Sequence, residues 1–94
     1  MLQSTCKAKP HPDVVTTRLD NGEMVLLHLG TRQYFSLNHT GSMVWQLLEQ
    51  RSTFAAISRS LEERFDVTLS EALESVNELM GRLGAHTLIT IEDQ

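Results

Sequence analysis

Three short runs near the start of the chain carry apolar side chains with a period of two. Residues 14–19 are rich in β-branched side chains. Residues 23–29 place Val25, Leu27 and Leu29 on one face and Met24, Leu26 and His28 on the other. Residues 33–37 set Phe35 and Leu37 opposite Tyr34 and Ser36. Asp20-Asn21-Gly22 separates the first two runs, and its Asn-Gly pair predicts a type I′ hairpin turn. Gly30-Thr31-Arg32 makes the second turn. Connections this short permit only antiparallel pairing, so the runs predict a three-stranded meander. Both faces of its middle strand are largely apolar. One face packs on the rest of the fold and the other is covered or sticky, which leaves a homodimer open.

From Asn38 onward the period changes to 3.6. Asn38 reads as the N-cap of a helix reaching about Gln50, with Met43, Val44, Trp45, Leu47 and Leu48 as its apolar positions. Ser52 or Thr53 opens a second helix carrying Phe54, Ile57, Leu61 and Phe65. Thr68-Leu69-Ser70-Glu71 fits a capping box for a third. Its stripe runs through Leu69, Leu73, Val76, Met80 and Leu83, widened by Ala72 and Leu79, and Gly84 predicts its stop. Residues 87–91 are β-prone and suit a fourth strand or an edge addition. The expected fold is therefore α+β, a three-stranded antiparallel sheet followed by three helices in a winged-helix-like arrangement. It occupies one domain of residues 14–94. Residues 1–13, with Pro10, Pro12 and an incidental exposed thiol at Cys6, read as a flexible N-terminal arm.

Composition narrows the functional classes. A chain of 94 residues, 40% hydrophobic and 21% charged, is one ordinary globular domain. Its single cysteine excludes an internal disulfide and a cysteine-based metal cluster. A net charge of −4 argues against a general nucleic-acid binder. No apolar run nears the roughly 18 residues of a membrane span. The first residues lack the apolar core of a signal peptide, so a cytoplasmic location without a membrane partner is expected. His11, His28, His39 and His86 are scattered, with no metal-ligand spacing. No nucleophile elbow, phosphate loop or dinucleotide fingerprint occurs. Glu62 and Glu63 diverge by about 100° on a helix and cannot share a substrate. No catalytic residue, metal ligand or cofactor is expected, and the chain reads as a non-enzyme.

Helices two and three, joined by a short turn, also admit a helix-turn-helix transcription regulator as the alternative. Glu71, Glu74 and Glu78 form an acidic stripe on the would-be recognition helix, against one late Arg82, and would repel phosphate. The hairpins also precede the helices, whereas the wing of a winged-helix DNA binder follows its recognition helix.

The run from Met24 to Leu48 holds Tyr34-Phe35-x-Leu37-Asn38-x-Thr40-Gly41 followed by Trp45-x-Leu47-Leu48. It resembles the PqqD-like family of small peptide chaperones, the precursor recognition elements of ribosomally made peptide natural products. The resemblance spans about residues 14–84. Glu49-Gln50-Arg51-Ser52 stands where the pyrroloquinoline-quinone member tends to be rich in Arg and Cys, so the pattern looks more like the stand-alone leader-binding subunit of lasso-peptide biosynthesis. The resemblance implies a protein that binds a precursor's leader peptide and delivers it to a leader peptidase or other maturation enzyme. The leader would add as a strand to Gln33, Tyr34, Phe35, Ser36 and Leu37, a segment with no proline or lysine to guard its edge. Tyr34 would flank it, and Leu73, Val76, Asn77 and Met80 on helix three would line the groove, with Met80 as an adaptable wall.

Overall fold

The computed structural model describes residues 6–92. The chain runs β1 (Lys7–Pro10), β2 (Val14–Arg18), β3 (Met24–His28), β4 (Gln33–Leu37), α1 (His39–Glu49), α2 (Phe54–Phe65), α3 (Leu69–Ala85) and β5 (Ile89–Glu92). The α+β class and the antiparallel meander β2-β3-β4 agree with the sequence pattern. The strand inventory does not, because β1 and β5 pair antiparallel as a second sheet. The expected arm is therefore corrected over residues 6–10. Ala8 and Cys6 are buried rather than exposed, and the Cys6 carbonyl accepts the Phe54 N–H at 3.0 Å, which ties this segment to the start of α2. Pro10 is tolerated because it ends its strand. Residues 1–5 of that arm lie outside the described residues.

Local chemistry sets the element ends. Only Gly22 in the first hairpin takes a positive φ, +88°, so the turn is not type I′. Leu19 N–H donates to the Glu23 carbonyl at 2.8 Å, leaving a three-residue loop with glycine in its left-handed position. Asn38 Oδ1 accepts the Gly41 N–H at 2.8 Å, and Thr53 Oγ1 accepts the Ala56 N–H at 3.1 Å. Thr68 and Glu71 close the expected capping box. Gly84 is not the stop of α3. The helix continues to Ala85, and Thr87, at φ 57°, takes the left-handed position. Leu88 N–H returns to the Leu83 carbonyl at 2.9 Å and Thr87 N–H to that of Gly84 at 3.0 Å, a Schellman closure that turns the chain into β5.

The core forms between the inner face of the meander and the three helices. Leu26 and Met24 belong to one buried cluster with Trp45, Leu48, Phe54, Ile57, Val76, Met80 and Leu83, which Ala8 and Ile89 of the β1–β5 sheet extend. The buried stripe of α3 is Ala72, Val76, Leu79, Met80 and Leu83, so its centre lies to one side of the expected one and Leu69 is exposed. Among the described residues, no helix is long and apolar enough to cross a membrane.

Candidate functional site

The register of the meander sorts its faces. Leu26 pairs with Phe35 and Met24 with Leu37, which turns Phe35 and Leu37 inward. Val15 pairs with Leu27 and Leu27 with Tyr34, so these three form a row on the outer face, where Tyr34 is 74% exposed. The order β2-β3-β4 leaves β4 at an edge of the sheet. An edge strand presents every second backbone N–H and C=O outward, and nothing in Gln33–Leu37 blunts that row.

Beside this edge runs a trough with α3 as its far wall. One cleft of about 380 Å³ is lined by Phe35, Ser36 and Leu37 from β4 and by Ser75, Glu78, Leu79 and Arg82 from α3. A second, of about 330 Å³, continues it past Phe35 and is lined by Gln33, Tyr34, His28, Arg32 and His86. Phe35 divides the two. Its ring lies 5.4 Å from that of His86 and 6.0 Å from the Arg82 guanidinium carbon. The trough thus mixes apolar side chains, Phe35, Leu37 and Leu79, with polar and charged ones.

The expected site residues separate. Gln33, Tyr34, Phe35, Ser36 and Leu37 all lie along the trough. Asn77 and Met80 instead line a different cleft with Ser70, Glu74, Gly81, Gly84 and Ile91, on the β5 side of α3. Val76 is buried in the core at 1% exposure, and Leu73 is half-buried beside it. The reason is helical phase. Ser75, Glu78, Leu79 and Arg82 repeat at i, i+3, i+4 and i+7, as Leu73, Val76, Asn77 and Met80 do, but two residues later. At 100° per residue that places the two sets about 160° apart, on opposite flanks of the buried stripe. Periodicity reveals the stripe but not which flank faces the sheet edge.

Charge sits outside this stripe. Glu71, Glu74 and Glu78 are all exposed, with Glu78 on the trough side and Glu74 on the other. Hydrogen bonds from the backbone N–H and the hydroxyl of Thr68 hold the Glu71 carboxyl below the ordinary glutamate range.

His28 is the polar group that strand periodicity places on a surface or interface and the structure buries, at 4% exposure. Its Nδ1 accepts the N–H groups of Gly30 at 3.1 Å and Thr31 at 3.2 Å, which organises the β3–β4 turn. Its Nε2 is buried with no partner among the described residues. An unpaired buried donor costs about 1–3 kcal/mol.

The family model described as Coenzyme PQQ synthesis protein D (PqqD) matches residues 23–89. A solved structure of TbiB1 in complex with the TbiA(beta) leader peptide superimposes with a TM-score of 0.82 at 30% identity, covering 86% of this chain and 93% of that one. A lasso peptide synthetase B1 complexed with the leader peptide has the same fold, with a TM-score of 0.83 at 23% identity over 89% of this chain and 98% of that one. Among curated protein sequences, none matches.

Proposed function

The chain belongs to the PqqD family, and from that premise we propose that it binds the leader segment of a ribosomally made precursor peptide and delivers it to a processing enzyme, a leader peptidase or other maturase. The observation that carries this reading is the pairing of an unguarded β4 edge with a trough between that edge and α3. An added strand satisfies the outward backbone groups of β4 and drops alternate side chains into the trough, so main-chain bonds supply affinity and the trough supplies selection. The neighbour at 30% identity holds a leader peptide, which supports the same ligand class here. The setting proposed is lasso-peptide biosynthesis in the cytoplasm, on the motif from Tyr34 to Leu48. The protein acts as a non-catalytic adaptor in this account.

Duplex DNA is disfavoured as a ligand because α3 exposes Glu71, Glu74 and Glu78 to any phosphate backbone. Fluorescence anisotropy tests the proposal. Labelled leader peptides from precursors encoded beside this chain's gene, and a labelled DNA duplex, are titrated with the protein. Saturable leader binding with none to DNA is the expected result. Binding to duplex alone, lost steeply between 50 and 200 mM salt, overturns it.

A further inference from the structure

The cleft at the start of β4 combines two donors that lack acceptors. His28 Nδ1 accepts two backbone N–H groups, so it carries no proton, and the neutral ring holds its hydrogen on Nε2. That Nε2–H is buried and unpaired among the described residues, and the His28 ring forms part of the cleft wall. The ring of His11, tilted by 36° with its centroid 4.7 Å away, cannot relieve it. The acceptor nitrogen of His11, Nδ1, already takes the Asp13 N–H at 3.0 Å. Arg32, on the same cleft, is exposed and makes no ion pair among the described residues. It also stands at φ 59°, a left-handed position that glycine or asparagine fills more readily. No aspartate or glutamate lines this cleft, whereas its continuation along β4 carries Glu78.

From these features we propose that the cleft is an acid-recognition subsite, in which the exposed Arg32 guanidinium, and the His28 Nε2–H once the arriving strand parts the side chains that cover it, receive a carboxylate side chain of the bound strand. The inference rests on the peptide-binding reading above and deepens it. A carboxylate accepts from both groups at once, a neutral acceptor gains only from hydrogen bonding, and a lysine is repelled by Arg32. Side chains on one face of an added strand recur every second residue, about 6.6–6.8 Å apart. The acid therefore falls two or four residues from the apolar side chain that enters the neighbouring cleft against Leu79.

The test is selection of displayed random 12-residue peptides on the intact protein and on its Arg32→Glu variant, with His28 followed by NMR. The parent enriches Asp or Glu at a fixed even spacing from an apolar anchor, and Arg32→Glu enriches Lys or Arg there while keeping the anchor. Arg32→Gln weakens a selected acidic peptide about 3–5-fold and its acid-to-alanine version less than about 2-fold, as a partly solvated charge pair should. The His28 Hε2 resonance moves downfield with the acidic peptide and not with the alanine version. Apolar peptides that bind with no acid preference, or an acid preference unchanged by Arg32→Glu, overturn the subsite alone. Failure to select any peptide overturns the peptide-binding reading and the subsite with it.

Discussion

Replacing the residues of β4 one at a time by proline separates strand addition from simple burial of side chains in the trough. In an antiparallel edge strand, successive amides point alternately to the partner strand and outward. Within Gln33–Leu37 the outward set is therefore either Gln33, Phe35 and Leu37, or Tyr34 and Ser36. Proline at an outward amide leaves the pairing with β3 intact but deletes one donor and strands one peptide carbonyl. That costs about 1–2 kcal/mol, or roughly a 5–30-fold loss of leader affinity. Proline at an inward amide breaks the β3–β4 ladder instead and costs about 3 kcal/mol of fold stability, so melting falls by more than about 10 °C. Alanine at each position controls for the lost side chain. Thermal melts and anisotropy titrations with a labelled leader peptide should then sort the five variants into two alternating classes. Equal leader affinity in the parent and in every variant that melts like it would refute strand addition to β4.

The two flanks of α3 should respond differently: Arg82→Ala and Leu79→Ser weaken leader binding in titrations by more than Asn77→Ala does, while Met80→Ala, at 1% exposure, costs about 2–5 kcal/mol of stability in chemical denaturation. Thr68→Ala removes the hydroxyl bond that helps hold Glu71 ionised, so an NMR titration should show the Glu71 carboxyl rising toward its ordinary range. Because the folded-state value is depressed, Glu71's contribution to stability is complete above the unfolded value and fades as pH falls through the folded one, and Thr68→Ala flattens that part of the acid melt. Thr87→Gly relieves a β-branched residue at φ 57° and should raise stability by about 1 kcal/mol in denaturant titration.

Much of the fold was legible because its signals are local. Asn38, Thr53 and the Thr68–Glu71 box mark the helix starts with the side chains that cap them, and the period-two runs mark the meander. The β1–β5 sheet was only half legible: residues 87–91 look β-prone, but Lys7–Pro10 becomes a strand only by pairing with Ile89–Glu92 some eighty residues away, and Pro10 with the nearby Pro12 makes the segment read as a loop. The end of α3 was misplaced because the left-handed position fell to Thr87 rather than to the glycine three residues earlier. For the proposed site, the unguarded edge of β4 is readable from the sequence, whereas the flank of α3 that faces this edge is not, since Ser75, Glu78 and Arg82 carry no apolar signature and their placement is chosen by how α3 docks. His28 was hidden for a related reason: its burial depends on the turn amides of Gly30 and Thr31 folding back onto its ring.

Amide hydrogen exchange, read residue by residue with and without a bound leader peptide, tests the central claim most directly. Strand addition at β4 predicts that alternate amides within Gln33–Leu37 gain protection on binding, while those of β2, Val14–Arg18, at the opposite edge, stay as they were. Protection gained along β2, or confined to the Asn77 flank of α3 with β4 unchanged, would contradict it.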